Sequence, residues 1–565
     1  MTQEFDSTPT VIGDFLNFNR NLVELPTKVT VPHEIKIGSC PYDVVYEEDR
    51  IRMLHYKPLT SKQIQTPLVI SYAIINRFHI FDIDPKKSWI RYLLEMLGPE
   101  FRQYLFDSDD EGKPFNRSDF SNIVVQGKYL KTVIGFGSKR DFDKPGLYIR
   151  NSMFPKQKEE MLVEIAPKIR TKRYVGTEGL FSRKEHLEEV DVSPWTLPEE
   201  NAIVIGPNCR EPWHLRGPVG MSAMSYGSLG ENAISSMSYG LGMATGSWVH
   251  TGEGGLAPYH TIGGGDVIMQ IGSGIFGVRN KDGTFSWEKL REKASNPHIR
   301  CFEIKLAQGA KIRGGHVEGN KVNPEIAEIR GVTPWKTIDS PNRHNQFHDI
   351  PTLFDFIDKM REESGKPVGI KIVMGGPDSA DELCSYMDQT GRGPDFITVD
   401  GGEGGSGATY QEMADSMGLP IKSGLVYLDN TLRHYRVRDR VKVFASGKLF
   451  SPDRIAIALA MGADLVNIAR GMMISVGCIG AQKCHTNHCP VGVATTDKGH
   501  QKGLVVNEKK WRVLNYVITL RNGLHTLAAA TGIDSYAKFD RSHIVYRDQY
   551  GQVTPFDKLF PYPES

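Results

Sequence analysis

The chain has 565 residues, 39% of them hydrophobic and 24% charged, and its 68 Lys+Arg nearly balance 67 Asp+Glu, for a net charge of +1. A chain of this length can bury a large core, and a single α/β barrel can absorb about 250 residues. No long run of like charge is present, which excludes an electrostatic surface built for nucleic acid or membrane. Seven cysteines, an odd number and mostly scattered, argue against a disulfide framework and for a reducing, cytoplasmic setting.

The opening MTQEFDSTPTVIGDF lacks the basic stretch and apolar run of a secretory signal. Residues 43 to 95, which include TPLVISYAIINR, resemble the opening segment of polyhydroxyalkanoate synthases, an α/β-hydrolase family. No G-x-S-x-G or G-x-C-x-G nucleophile elbow follows, so hydrolase chemistry is not expected. The chain up to about residue 200 is otherwise charge-rich and of mixed polarity, as in FDSDDEGKPFNRSDF.

From about residue 215 eight short apolar runs alternate with helix-like stretches: GPVGMSA, GSWVHTG, DVIMQIG, CFEIKLA, VGIKIVM, FITVDGG, VKVFASG and DLVNIARG. Near-continuous apolar character suits parallel strands covered on both faces. The intervening ENAISSMSYGLGMAT, SWEKLREKAS, IPTLFDFIDKMREESG, SADELCSYMDQTG and SPDRIAIALAMG read as helices. Eight such units predict an α/β fold of TIM (β/α)8 barrel type with an N-terminal flanking region. A doubly wound open sheet would need G-x-G-x-x-G after its first strand, and that motif is absent. The late window IAIALAMGADLVNIARGMMISVG is broken by Gly, Asp and Arg and is a poor membrane span.

A barrel places its chemistry at the C-terminal ends of its strands. Those ends carry Ser225, Glu253, Gln270, Lys305, Lys371, Asp400, Ser446 and Arg470. The loops FASGKLFSP and NIARGMM, with Ser446, Gly447, Lys448, Arg470 and Gly471, stand where barrels commonly hold a phosphate. DGGEGGSGA, at 400 to 408, follows the sixth run and reads as a ligand loop. Lys305 and Lys371 lie within apolar strands, where an unpaired ammonium is costly. A reduced flavin, anionic around N1 and O2, would offset that cost, and so would pairing with Glu303 or Asp400.

Near the end, GCIGAQKCHTNHCPVGVAT brings Cys478, Cys484 and Cys489 together, with Pro490 directly after the last. Zinc sites favour tighter spacing and four ligands, for which only His485 and His488 are at hand. Closely grouped cysteines followed by Pro suit an iron–sulfur cluster, and three ligands point to three irons.

Taken in order, MSAMSYGSLG, TGEGGLAPYH, IKLAQGAK, DGGEGGSGA, ASGK, GADLVNIARG and the cysteine segment resemble the FMN-binding domain of glutamate synthases over about residues 97 to 545. The likeness is greatest to stand-alone members without a glutaminase domain. It implies FMN contacts at Ser222, Ala223, Ser225, Gln270, Lys371, Gly402, Gly405, Ser446, Gly447, Arg470 and Gly471, with Lys448 at the phosphate, and a 3Fe-4S cluster on Cys478, Cys484 and Cys489. Glu253, Lys305, Gln308 and Lys311 would face the substrate.

The implied reaction is that of an EC 1.4 oxidoreductase: reduction of 2-iminoglutarate, formed from 2-oxoglutarate and ammonia, to L-glutamate. Electrons would come from ferredoxin or an NAD(P)H-dependent subunit, and ammonia would be free or supplied by a separate glutaminase subunit. The chain opens Met1-Thr2-Gln3 with no cysteine before Cys40, so glutamine hydrolysis is not expected of it. Where the family reads GAKPGEGG and SPPPHHD this chain has GAKIRGGHVEGNKV and SPNRHNQF, which leaves open a related enzyme acting on another keto or imino acid. An inactive scaffold is the remaining alternative. The expected organisation is a synthase-like segment at 1–96, a lead-in region at 97–214, the FMN barrel with the cysteine segment at 215–500, and a C-terminal helical extension and tail at 501–565.

Overall fold

The computed structural model describes residues 42–48, 51–57, 179–182, 196–197, 199–309, 315–404, 417–548 and 550–563. The chain divides into two compact units, Met1–Phe120 and Ser121–Ser565. In the first, Tyr42–Glu48 and Ile51–Tyr56 form an antiparallel ribbon.

In the second, each of the eight apolar runs is a strand: β1 Val219–Met221, β2 Trp248–His250, β3 Asp266–Ile271, β4 Ile299–Lys305, β5 Val368–Ile372, β6 Phe396–Asp400, β7 Lys442–Ser446 and β8 Leu465–Ile468. They form one parallel sheet in the order β1-β8-β7-β6-β5-β4-β3-β2, so sequence neighbours are spatial neighbours. At the seam between β1 and β2 the Ser247 hydroxyl donates to the Val219 carbonyl at 2.6 Å. Gly220 lies so close to the Trp248 indole that a Cβ there would stand 2.3 Å from the ring. The sheet therefore closes into the TIM barrel expected from the sequence.

Helices α1 Glu231–Ala244, α2 Trp287–Ala294, α3 Pro324–Arg330, α4 Ile350–Ser364, α5 Asp381–Thr390, α6 Ile421–His434 and α7 Pro452–Ala460 lie along the strand connections. Their ends are written locally. Asp349 caps α4 by accepting from the Thr352 amide at 2.8 Å, and Gly365 ends it at φ +74, a left-handed conformation that favours glycine. After β8 come a short helix, α8 Arg470–Ser475, and a long one, α9 Val506–Ala530. Buried Arg521 of α9 donates to the Ala244 carbonyl at 2.7 Å and to the Ser247 hydroxyl at 2.8 Å, tying α9 to the seam. Farther on, Ile544–Arg547 joins a small antiparallel sheet with Gly179–Ser182 and Val553–Pro555.

Inside the barrel the side chains stack in layers. Trp248, Ile268, Cys301, Phe396, Phe444 and Leu465 form an apolar floor, closed below by Ile205, Trp213 and Leu215 from an antiparallel hairpin. Two residues further along each strand the inward side chains become polar, because alternation returns them to the same face. No helix among the described residues is long and apolar enough to cross a membrane.

Candidate functional site

The first polar layer above the floor holds His250, Gln270, Glu303 and Thr398, all almost wholly buried. The Gly252 amide donates to His250 Nδ1 at 3.2 Å, and the other ring nitrogen, Nε2, is hydrogen-bonded to Glu303 Oε1 at 3.1 Å. Gln270 Nε2 donates to the same oxygen at 2.6 Å, and the Thr398 hydroxyl donates to Glu303 Oε2. Burial pushes the Glu303 carboxyl up, but His250 against its Oε1, then Lys371 and Thr398, outweigh it and bring it to about 2.

That depression has a measurable consequence. A carboxyl held below its ordinary value of 4.5 stabilises the fold above that pH and loses its contribution as pH falls towards about 2. The expected size is about 3 kcal/mol. The urea midpoint of the wild type should therefore fall more steeply than that of Glu303→Gln between pH 5 and pH 3; parallel profiles would contradict the assignment.

One layer higher are Lys305, Lys371 and Asp400. Lys371 stands beside Lys305 on one side and Thr398 on the other in the sheet register. Lys305 Nζ donates to Glu253 Oε1 at 2.7 Å, and Gly272 and Gly315 crowd that carboxylate so closely that a Cβ on either would come within 2.6 Å of its oxygens. The pairing of Lys305 is thus with Glu253 rather than Glu303. Asp400 accepts from the Gly309 amide at 3.0 Å, while its Oδ2 is 3.6 Å from Lys371 Nζ, beyond hydrogen-bond reach. Lys371 therefore presents a buried ammonium whose protons are not taken up by that carboxylate.

The remaining expected residues gather on the same rim. The Ser222 and Ser446 hydroxyls lie 3.4 Å apart across the β1-β8-β7 edge, and the Ser222 amide is committed to the Ile468 carbonyl. Ala223 is half-buried beside them. Ser225 shares a 2.9 Å hydrogen bond with Ser228 and accepts from buried Arg330 at 3.4 Å. Lys448 holds φ +50, a left-handed conformation unusual for a side chain and frequent at ligand turns. Gly402 spends its amide on the Leu419 carbonyl at 2.8 Å, so it has no N–H for a ligand. Gln308 is half-buried on the loop after β4; Lys311 and Gly405 lie outside the described residues.

Beyond β8, α8 leads into the cysteine segment. Cys478, Cys484 and Cys489 line one cavity together with Met473, Val491 and Ala494; the exposed His485 and His488 are not part of it. Burial pushes the Cys478 thiol up to about 12 and raises Cys484, while the Arg470 charge acts on both in the opposite sense. Among the described residues no three His, Cys, Asp or Glu side chains converge on one metal ion. A cluster distributes its thiolates over several irons and does not require that convergence.

Four residues of this region were not picked out from the sequence as site residues: His250, Thr398, His344 and Lys321. Strand parity could have found the first two, counting two on from the floor residues Trp248 and Phe396. His344, from the loop after α3, donates through Nε2 to the Lys305 carbonyl at 3.0 Å, and no strand period governs a loop.

The conserved region of glutamate synthase matches residues 156–534. The chain belongs to the glutamate synthase family. Its relatives include the glutamate synthase large subunit-like protein YerD of Bacillus subtilis, 53% identical over 500 residues, covering 88% of this chain and 93% of that one. They also include an archaeal glutamate synthase (NADPH) of Methanocaldococcus jannaschii, 31% identical over 59% of this chain and 61% of the relative; this member thus spans less than two thirds of that protein's length. Among solved structures, a mutant flavocytochrome b2 with pyruvate bound is 12% identical, with a TM-score of 0.42 over 75% of this chain and 90% of that one. The N-terminus of poly-beta-hydroxybutyrate polymerase (PhaC) matches residues 18–93 of this glutamate synthase family member, a span that includes most of the 43–95 stretch whose resemblance was read from the sequence.

Proposed function

We propose that the protein is a glutamate synthase-type oxidoreductase that binds FMN on the C-terminal rim of its barrel and converts 2-oxoglutarate and ammonia, through 2-iminoglutarate, to L-glutamate. The observation that carries this reading is Lys371, a buried ammonium at the rim whose carboxylate neighbour stands 3.6 Å away. Bound there, FMN would supply the two-electron reduction that an imino acid needs. Lys371 would hold the electron-rich edge of its ring, with Gln270 fixed beneath by Glu303. Ser222, Ser446, Gly447 and Lys448 would hold its phosphate, together with Arg470 and Gly471 at the start of α8. The Glu253–Lys305 pair would meet substrate, Lys305 binding a carboxylate and Glu253 orienting the ammonium. The three cysteines suit a 3Fe-4S cluster: thiols in a largely apolar cavity, with a cationic Arg470 in electrostatic range. Electrons would reach that centre from ferredoxin or an NAD(P)H-dependent subunit, in a cytoplasmic protein.

Lys371→Met tests the flavin position. Loss of one charge-assisted contact of about 1.5–3 kcal/mol corresponds to a fall of roughly 30–65 mV in a two-electron midpoint potential. Lys448→Met should weaken FMN affinity more than it moves the potential. An unchanged potential in Lys371→Met with FMN still bound would remove Lys371 from the ring and leave Lys305 in its place.

A second reading keeps the cofactors and changes the acid reduced. It is favoured by His344, which lies in the SPNRHNQF departure and rests on the Lys305 carbonyl. Turnover with ammonium and a panel of keto acids separates the two readings, because only the first requires 2-oxoglutarate to be preferred.

A further inference from the structure

Lys321 is 2% exposed, yet among the described residues it has no carboxylate partner. It ends a short turn, Gly319–Lys321, just before Asn323 caps α3 by accepting from the Ile326 amide at 2.9 Å. Its ammonium donates to three backbone carbonyls: Ser228 at 2.8 Å, Cys484 at 3.0 Å and Ala494 at 3.2 Å. Three donors meet three acceptors, so its hydrogen bonds are complete. Its charge is not neutralised by them, and a buried charge without a counter-charge is costly.

The turn is also docked onto the cysteine loop. Asn487 Nδ2 donates to the Asn320 carbonyl at 3.1 Å, and Asn487 Oδ1 accepts from the Thr496 amide at 2.8 Å. Ser228, on the other side of the ammonium, belongs to the loop after β1 that carries Ser222 and Ser225. One buried cation thus joins the proposed flavin loop to the middle of the segment holding the thiols and to the chain just beyond it.

We infer that Lys321 is a built-in counter-charge for the anionic group held by Cys478, Cys484 and Cys489, and that it latches their loop against the loop carrying Ser222 and Ser225. The inference rests on the cluster reading above. A reduced cluster is more negative than an oxidised one, so a fixed cation beside it favours reduction. Lys321 is in this sense a positioning residue that acts through the thiolate-bound group.

The test compares wild type, Lys321→Met and Lys321→Arg, purified anaerobically with cofactors in place. Iron, acid-labile sulfide and flavin are quantified on each preparation, and the cluster is titrated by electron paramagnetic resonance against potential. Wild type without iron or sulfide would overturn the cluster reading, and the counter-charge with it. With a wild-type cluster in place, Lys321→Met should show a more negative cluster potential and a several-fold lower iron content at unchanged flavin, while Lys321→Arg stays near wild type. Lys321→Gln replaces the Met variant should that fail to fold. A neutral variant with full iron content and an unchanged potential would overturn the inference; equal losses in the neutral and Arg variants would leave a latch alone and overturn the counter-charge.

Discussion

Lys305→Met is expected to destabilise the barrel by about 3–5 kcal/mol, because it removes one charge of a buried, hydrogen-bonded ion pair and leaves the other in place. The pair is close, at 2.7 Å, and its side chains are only 5% and 11% exposed. Gly272 and Gly315 lie against the carboxylate, and a Cβ on either would collide with its oxygens. Lys305→Met/Glu253→Gln removes both charges and should recover most of the loss, so a double-mutant cycle on urea midpoints reads the coupling directly. Coupling below about 1 kcal/mol is the behaviour of an exposed surface pair and would contradict the burial argument. The doubly substituted protein also tests chemistry separately from folding. If the pair meets substrate, turnover should fall by about 10²–10³ even where stability is restored.

The parts of this molecule that follow a period were legible in the sequence. Every barrel strand was marked by an apolar run, since strands covered by helices outside and packed inside need apolar residues on both faces. The rim followed once the strand ends were known: Lys305, Lys371, Asp400 and Ser446 are the last or nearly last residues of β4, β5, β6 and β7. The polar layer beneath was not drawn from the same strings, although Glu303 and Thr398 sit two positions before Lys305 and Asp400. A glutamate in an apolar strand reads as a partner for the nearest lysine. Only the packed barrel shows that it gathers His250, Gln270 and Thr398 from three other strands.

Helices were legible where caps mark them, as at Asp349 and Gly365. Two went unread. α6 starts after Pro420 without a side-chain cap and contains Gly424, which weakens its helical pattern. α3 lies between the two stretches that depart from the family and was not read as a helix, although Asn323 and Pro324 are an ordinary helix start. The carbonyl contacts of Lys321 and His344 come from loops brought together only by closure of the barrel, so no local pattern announces them.

Cys484→Ser should abolish iron binding while FMN stays bound. The argument rests on separation: the residues proposed to hold flavin lie on strand ends and at the start of α8, whereas the thiols lie beyond α8 in a cavity lined by Met473, Val491 and Ala494. Serine keeps the backbone, so the Cys484 carbonyl remains available to Lys321 and the loop should hold its course. What it removes is a soft thiolate donor that a hydroxyl does not replace at neutral pH. Iron and acid-labile sulfide should fall to background, with flavin content and thermal midpoint of the apoprotein close to those of wild type stripped of iron. Loss of flavin together with iron in a protein that is still folded would mean that the cysteine loop forms part of the flavin site. In that event α8 and the loop beyond it would form one wall of the flavin pocket.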